Sequence, residues 1–220
     1  MKIAIYGDSF ACEESSRFPK LHGDRSWIKI LKDLNYNITC YGLSGTSLFW
    51  SYLNFTNTSK NFDKIIFIAT DGSRLYIPTS KTRKHWVPGN VFRDDQEEIE
   101  DDLFESVLRF YRDIWNPDES TIYRNLILKE LGQYENVLLI DTTKNLYKPT
   151  MNEINHFKIA FPSLKEKNDN RYCHLSQEGN IFFAEQIQSW LDRRVFKIDE
   201  SDWPIPQADV NRIRSYFPES

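Results

Sequence analysis

The chain has 220 residues, 40% of them hydrophobic and 27% charged, which suits one soluble domain with a sizeable core. Its net charge of -4 argues against a dedicated nucleic-acid binder. Its apolar runs are too short for a membrane span or a signal peptide, so we expect a cytoplasmic protein without a membrane partner. Three widely spaced cysteines (Cys12, Cys40 and Cys173) favour a reducing compartment over a disulfide framework or a zinc site.

Short apolar runs that stop at small polar residues alternate with helical patterns along the chain. This alternation predicts an α/β domain, a three-layer αβα sandwich around a mostly parallel sheet with right-handed crossovers. A parallel sheet covered on both faces is expected to have strands that read as continuous apolar runs. The predicted strands are 3–6, 37–41, 62–69 and 136–141. The predicted helices are 26–34 with Ser26 or Asp24 as its cap, 48–55, one ending near 114, 120–131 after a stop at 116–118, and one that begins after His174.

Three segments depart from this alternation. We expect residues 1–195 to form the domain, with an irregular insertion around 74–118 and a long, mostly loop-like stretch at 142–170. The tail 196–220 is too apolar for simple disorder. It is predicted to pack on the domain, on a second copy in a homo-oligomer, or on an assembly partner.

Ser9 follows the first predicted strand directly, in Gly7-Asp8-Ser9-Phe10. Ligands of open α/β sheets bind outside the carboxyl ends of the strands, which makes Ser9 a candidate nucleophile. A serine in such a turn is more often a turn or cap residue, and it needs a base to become reactive. Among the four histidines, His174 stands at a loop-to-helix boundary, from which it can lean over the strand ends.

Three blocks of the chain resemble those of the SGNH (GDSL-type) hydrolases, in the same order. Gly7-Asp8-Ser9-Phe10 resembles the first block, Gly42-Leu43-Ser44-Gly45 the second, and the segment from His174 to Gly179 the last. The resemblance implies a flavodoxin-like α/β fold and ester hydrolysis without a metal or other cofactor. It assigns Ser9 as nucleophile, His174 as general base, and the backbone N–H groups of Ser9 and Gly45 as oxyanion donors.

Two positions depart from that family's pattern. Asp71 stands where the third block ends in an oxyanion-binding asparagine, and an ionised carboxylate only accepts hydrogen bonds. Asp71 is therefore protonated, or Thr70 or Ser73 supplies the donor, or this corner of the site is weakened. Arg171 stands where the triad acid is expected. Either Asp169, two residues earlier, orients His174, or a backbone carbonyl does so in a Ser-His dyad.

We therefore predict a serine esterase that removes a short acyl group, such as acetyl, from a carbohydrate. The high aromatic content (15%) fits a sugar platform formed by some of Trp50, Tyr76, Trp86 and Trp115, although cores also use aromatic residues. The rival prediction is a catalytically weakened or inactive binding module of the same fold, favoured by Asp71 and Arg171. A composition rich in Asn, Ile, Lys and Tyr is typical of an AT-rich bacterial or phage genome, and a phage protein would make a virion location possible.

Overall fold

The structure, a computed structural model, describes residues 1–13, 25–43, 46–70, 106, 109–141, 156–158, 175, 177–196 and 198. Within these residues, five strands form one sheet in which every neighbouring pair is parallel. The strands are β1 (Lys2–Tyr6), β2 (Asn37–Cys40), β3 (Lys64–Ala69), β4 (Val137–Asp141) and β5 (His156–Lys158). The helices are α1 (Trp27–Asp33), α2 (Leu48–Thr58), α3 (Pro117–Leu131) and α4 (Gln177–Arg193). The expected α/β fold with a parallel sheet is confirmed.

The strand order, β2-β1-β3-β4-β5, reverses direction next to β1. The chain passes from β1 to β2 on one side, and then crosses back to place β3 on the other side of β1. Ile5 pairs with Cys40 of β2, and Tyr6 pairs with Phe67 of β3. The carboxyl end of β1 therefore lies at a topological switch point, where open α/β sheets form their ligand crevice.

Both faces of the sheet are covered by helices. Successive side chains of a strand point to opposite faces, and the four residues from Ile3 to Tyr6 are fully buried. Ile3 and Ile5 belong to a cluster with side chains of α1 and α4, whereas Ala4 and Tyr6 belong to a second cluster with side chains of α2 and α3. This double burial explains why the strands read as continuous apolar runs.

Local signals explain where α1 and α3 begin. The Ser26 hydroxyl caps α1 by accepting a hydrogen bond from the Lys29 amide at 3.3 Å, as predicted. The stop predicted at 116–118 does separate two helical segments, but α3 begins at Pro117 and not at Ser120, because Asn116-Pro117-Asp118 also starts the next helix. Pro117 occupies the first helical turn, and Asn116 Oδ1 accepts a hydrogen bond from the Asp118 amide at 2.9 Å.

The long stretch at 142–170 contains an element that the sequence pattern did not predict. His156–Lys158 forms the short edge strand β5, in register with β4 through the pair Leu139 and His156. A π-helical turn, Phe110–Ile114, ends the predicted helix near 114. Most of the predicted insertion and tail lies outside the described residues. Phe196 is buried and packs edge-on against Phe183 of α4, with ring centroids 6.4 Å apart.

Candidate active site

Ser9 opens a tight turn directly beyond β1. The turn is a single 3₁₀ segment, Ser9–Ala11, and Asp8 caps it by accepting a hydrogen bond from the Phe10 amide at 3.1 Å. Asp8 is only 1% exposed, whereas Ser9 is partly exposed. The segment after β1 thus buries the Asp8 carboxylate and leaves Ser9 partly exposed at the carboxyl edge of the sheet.

Gly7 is required for this turn. Its φ of +149° belongs to a region that residues with a side chain rarely adopt. A Cβ at this position would lie 2.7 Å from the Ala11 Cβ and 2.8 Å from the Ile68 carbonyl oxygen. The turn can fold back onto β3 only because Gly7 has no side chain.

The glycine-containing loop after β2 is attached to the same strand end. The Leu43 amide donates to the Gly7 carbonyl at 3.2 Å. The Thr46 hydroxyl lies 3.3 Å from the same carbonyl and donates to the Leu43 carbonyl at 2.8 Å. Leu43 and Thr46 flank Ser44 and Gly45, which lie outside the described residues. A Cβ on Gly42 would overlap with the Ala11 carbonyl, so the start of this loop also packs tightly on the Ser9 turn.

The thiol of Cys40, at the end of β2, adds a further contact to the turn. Its Sγ donates to the Ala11 carbonyl oxygen at 3.0 Å. Burial raises the pKa of the Cys40 thiol, so the group keeps its proton and remains a donor near neutral pH. The turn that carries Ser9 is therefore supported from β2 as well as from its own cap.

A buried polar network extends from Asp8 under the strand ends. The Thr70 hydroxyl donates to Asp8 Oδ2 at 2.9 Å, and the Thr70 carbonyl accepts from Arg124 Nε at 3.4 Å. Arg124 of α3 also forms an ion pair with Asp141 at the end of β4, and both side chains are at most 1% exposed. This network, defined by Asp8, Thr70, Arg124 and Asp141, connects the carboxyl ends of β1, β3 and β4.

Trp27, the first residue of α1, connects the Ser9 turn to α4. Its indole N–H donates to the Phe10 carbonyl at 2.8 Å, and its backbone N–H donates to Asn180 Oδ1 at 3.0 Å. The side-chain amide of Asn180 in turn donates to the Leu175 carbonyl at 3.2 Å. Leu175 immediately follows His174 in the chain, so hydrogen bonds join the residue after Ser9 to the residue after His174.

Two of the predicted site residues, Ser9 and Thr70, lie in the described part of the chain, at the same edge of the sheet. The single hydroxyl proton of Thr70 is used on Asp8, which argues against Thr70 as the third oxyanion donor. The remaining residues on which the prediction depends lie outside the described residues: Gly45, Asp71, Ser73, Asp169, Arg171 and His174.

Sequence reasoning assigned no role to Asp8, Trp27, Arg124 or Asn180. Two of them carried a weak sequence signal, because Asp8 lies inside the block Gly7-Asp8-Ser9-Phe10 and Asn180 directly follows the block from His174 to Gly179. Arg124 and Trp27 sit on helices whose patterns indicate only a buried face. Their polar contacts depend on partners far away in the sequence, such as Asn180, which is 153 residues from Trp27.

Neither a metal cluster nor a membrane helix occurs in the described part of the chain. No group of three or more His, Cys, Asp or Glu side chains is arranged there to hold a metal ion. None of the helices described above is long and apolar enough to cross a bilayer. No protein-family model, curated protein or solved structure matches the chain.

Proposed function

We propose that this protein is a serine ester hydrolase of the SGNH type, with Ser9 as its nucleophile. The observation that carries the proposal is the position of Ser9. It is partly exposed in a hydrogen-bonded turn at the carboxyl end of the inner strand β1, where the strand order reverses. A nucleophile must be held still and remain accessible, and this turn provides both conditions.

In the proposed reaction, Ser9 Oγ attacks the ester carbonyl while His174 accepts the serine proton. The backbone N–H groups of Ser9 and Gly45 stabilise the negative charge that develops on the carbonyl oxygen. His174 then returns the proton to the leaving alcohol, and an acyl group remains on Ser9. Water activated by His174 releases the acid, while Asp169 or a backbone carbonyl orients the imidazole.

The proposed substrate is a short acyl ester on a carbohydrate. Phe49 and Trp50 lie in the first turn of α2, directly after the loop that contacts Gly7, and both are partly exposed. The amino end of α2 therefore places aromatic rings at the same edge of the sheet as Ser9. Flat aromatic faces offer the large apolar contact area that a sugar ring can stack on.

Replacement of Ser9 by alanine tests the proposal. We expect Ser9→Ala to abolish hydrolysis of p-nitrophenyl acetate while the melting temperature stays within a few degrees of wild type, because Ser9 is not part of the core. Ser59→Ala is the matched control, because Ser59 precedes β3 and so lies at the opposite edge of the sheet. Equal hydrolysis rates for wild type and Ser9→Ala contradict the proposal.

A fluorophosphonate probe supplies a test that does not depend on the choice of substrate. Such probes label only an activated serine, so we expect one phosphonyl group on Ser9, identified by peptide mass spectrometry. The variant Asp71→Asn would replace a carboxylate with an amide donor and is expected to raise kcat about 100- to 1,000-fold. A folded wild-type protein that is not labelled at Ser9 favours the inactive binding module instead.

A further inference from the structure

Trp27 contacts both the Ser9 turn and α4, the helix that follows the proposed base His174 in the chain. Its side chain is 2% exposed, and its ring packs edge-on against Phe183 of α4 at 5.0 Å between centroids. The indole N–H donates to the Phe10 carbonyl at 2.8 Å, which is a full-strength hydrogen bond. The ring contact and this hydrogen bond together fix the orientation of the indole.

Asn180 extends this connection across the domain. The first N–H groups of a helix have no partner within the helix, and they are usually satisfied by a local cap. In α1, the N–H of Trp27 is instead satisfied by Asn180 Oδ1 at 3.0 Å, from a residue that is 7% exposed. The other end of the same amide donates to the Leu175 carbonyl at 3.2 Å. Both ends of a buried amide are thus committed to backbone groups, which leaves it one orientation.

We propose that Trp27 and Asn180 are positioning residues that hold the Ser9 turn at a fixed separation from Leu175, the residue next to the proposed base His174. They form a continuous bridge, Phe10–Trp27–Asn180–Leu175, whose ends are the residues that follow Ser9 and His174. This inference rests on the proposed ester hydrolysis. Proton transfer from a serine to a histidine needs a heavy-atom distance of about 2.6–3.2 Å. A displacement of about 1 Å costs roughly 100-fold in rate, so a bridge of this kind acts on kcat.

Two variants each remove one part of the bridge. Trp27→Phe deletes the indole donor to Phe10 but keeps an aromatic ring against Phe183. Asn180→Asp keeps the oxygen that accepts from Trp27 and replaces the amide donor with an oxygen that repels the Leu175 carbonyl. We expect each variant to lower kcat for p-nitrophenyl acetate about 10- to 100-fold at an unchanged KM.

Trp190→Phe is the matched control for packing. Trp190 is 1% exposed and belongs to the same core cluster as Trp27, yet its indole N–H has no acceptor within the described part of the chain. The substitution therefore removes a comparable amount of buried ring without touching the bridge. We expect its melting temperature to fall about as far as that of Trp27→Phe, with kcat within twofold of wild type.

The decisive measurements are kcat, KM and the rate of Ser9 phosphonylation by a fluorophosphonate, all well below the melting temperature. A loss of kcat and of labelling rate in Trp27→Phe and Asn180→Asp, but not in Trp190→Phe, supports the positioning role. Rates that fall equally in all three variants, or in none, overturn it while leaving the proposed function intact. An inactive and unlabelled wild type overturns both proposals.

Discussion

Asp8 and Thr70 are hydrogen-bonded to each other across the switch point of the sheet. Thr70 Oγ1 lies 2.9 Å from Asp8 Oδ2, and the two residues are 4% and 1% exposed. The bond joins the residue before Ser9, at the end of β1, to the residue that follows β3. A hydrogen bond to a buried carboxylate is stronger than one between neutral groups, so this contact fixes the two strand ends relative to each other.

The first prediction concerns the loss of that hydrogen bond. Thr70→Val keeps the shape of the side chain but removes a donor from a buried carboxylate. We expect the free energy of unfolding in urea to fall by about 1–3 kcal/mol. We also expect kcat to fall, because the Asp8 cap under Ser9 loses a support. Thr39→Val is the control, since Thr39 is exposed on β2. Equal unfolding free energies for the two variants would show that the bond contributes nothing.

The second prediction concerns the ion pair between Arg124 and Asp141. Breaking a buried pair leaves an uncompensated charge in the core, so Arg124→Met is expected to lower the free energy of unfolding by about 3–5 kcal/mol. The double variant Arg124→Met with Asp141→Leu removes both charges and is expected to recover most of that loss. Urea denaturation of the single and double variants forms a double-mutant cycle. A double variant less stable than either single variant would contradict the prediction.

Much of the fold could be predicted from the sequence, because the central strands are buried on both faces. Continuous apolar runs such as that of β3 have few other interpretations in a chain of this composition. The edge strand β5 escaped prediction because three residues are too few for a pattern, and its pairing with β4 determines its conformation. The start of α3 was misplaced because the turn signal Asn-Pro-Asp is also a helix start.

The candidate site, like the fold, could be predicted from the sequence only in part. The position of Ser9 could be predicted because it depends only on a strand end that is local in sequence. The network through Thr70 and Arg124 could not, because its contacts join residues that are 17, 54 and 62 positions apart. A buried arginine in an amphipathic helix has no signature of its own. Only the assembled sheet shows that its partners lie within hydrogen-bond distance.

The third prediction concerns the backbone at Gly7. Gly7→Ala forces a side chain onto a positive φ and places its Cβ 2.8 Å from the Ile68 carbonyl oxygen. Backbone strain and overpacking each cost roughly 1–3 kcal/mol, so we expect a clear loss of unfolding free energy and of esterase activity. Gly132→Ala is the control, because Gly132 caps α3 with a φ of -66°, which alanine adopts readily. We expect thermal denaturation to give a lower melting temperature for Gly7→Ala than for Gly132→Ala. A melting temperature of Gly7→Ala equal to that of wild type would contradict the close packing of the turn on β3.

The fourth prediction concerns the alkaline limit of stability. Burial raises the pKa of Tyr6 to about 12, although its hydroxyl is hydrogen-bonded to Thr58 Oγ1 at 2.8 Å. An unfolded tyrosine ionises near pH 10, so between about pH 10 and 12 the unfolded chain has lost a proton that the folded protein retains. The stability contributed by Tyr6 is therefore complete below pH 10 and is lost as the pH rises towards 12. The free energy of unfolding of Tyr6→Phe, measured in urea, should therefore depend less steeply on pH over this window than that of wild type. The pKa of Tyr52 is also raised to about 12, so the double variant Tyr6→Phe with Tyr52→Phe should show a still weaker dependence. Parallel curves for wild type and Tyr6→Phe would show that the Tyr6 phenol is solvated in the folded state.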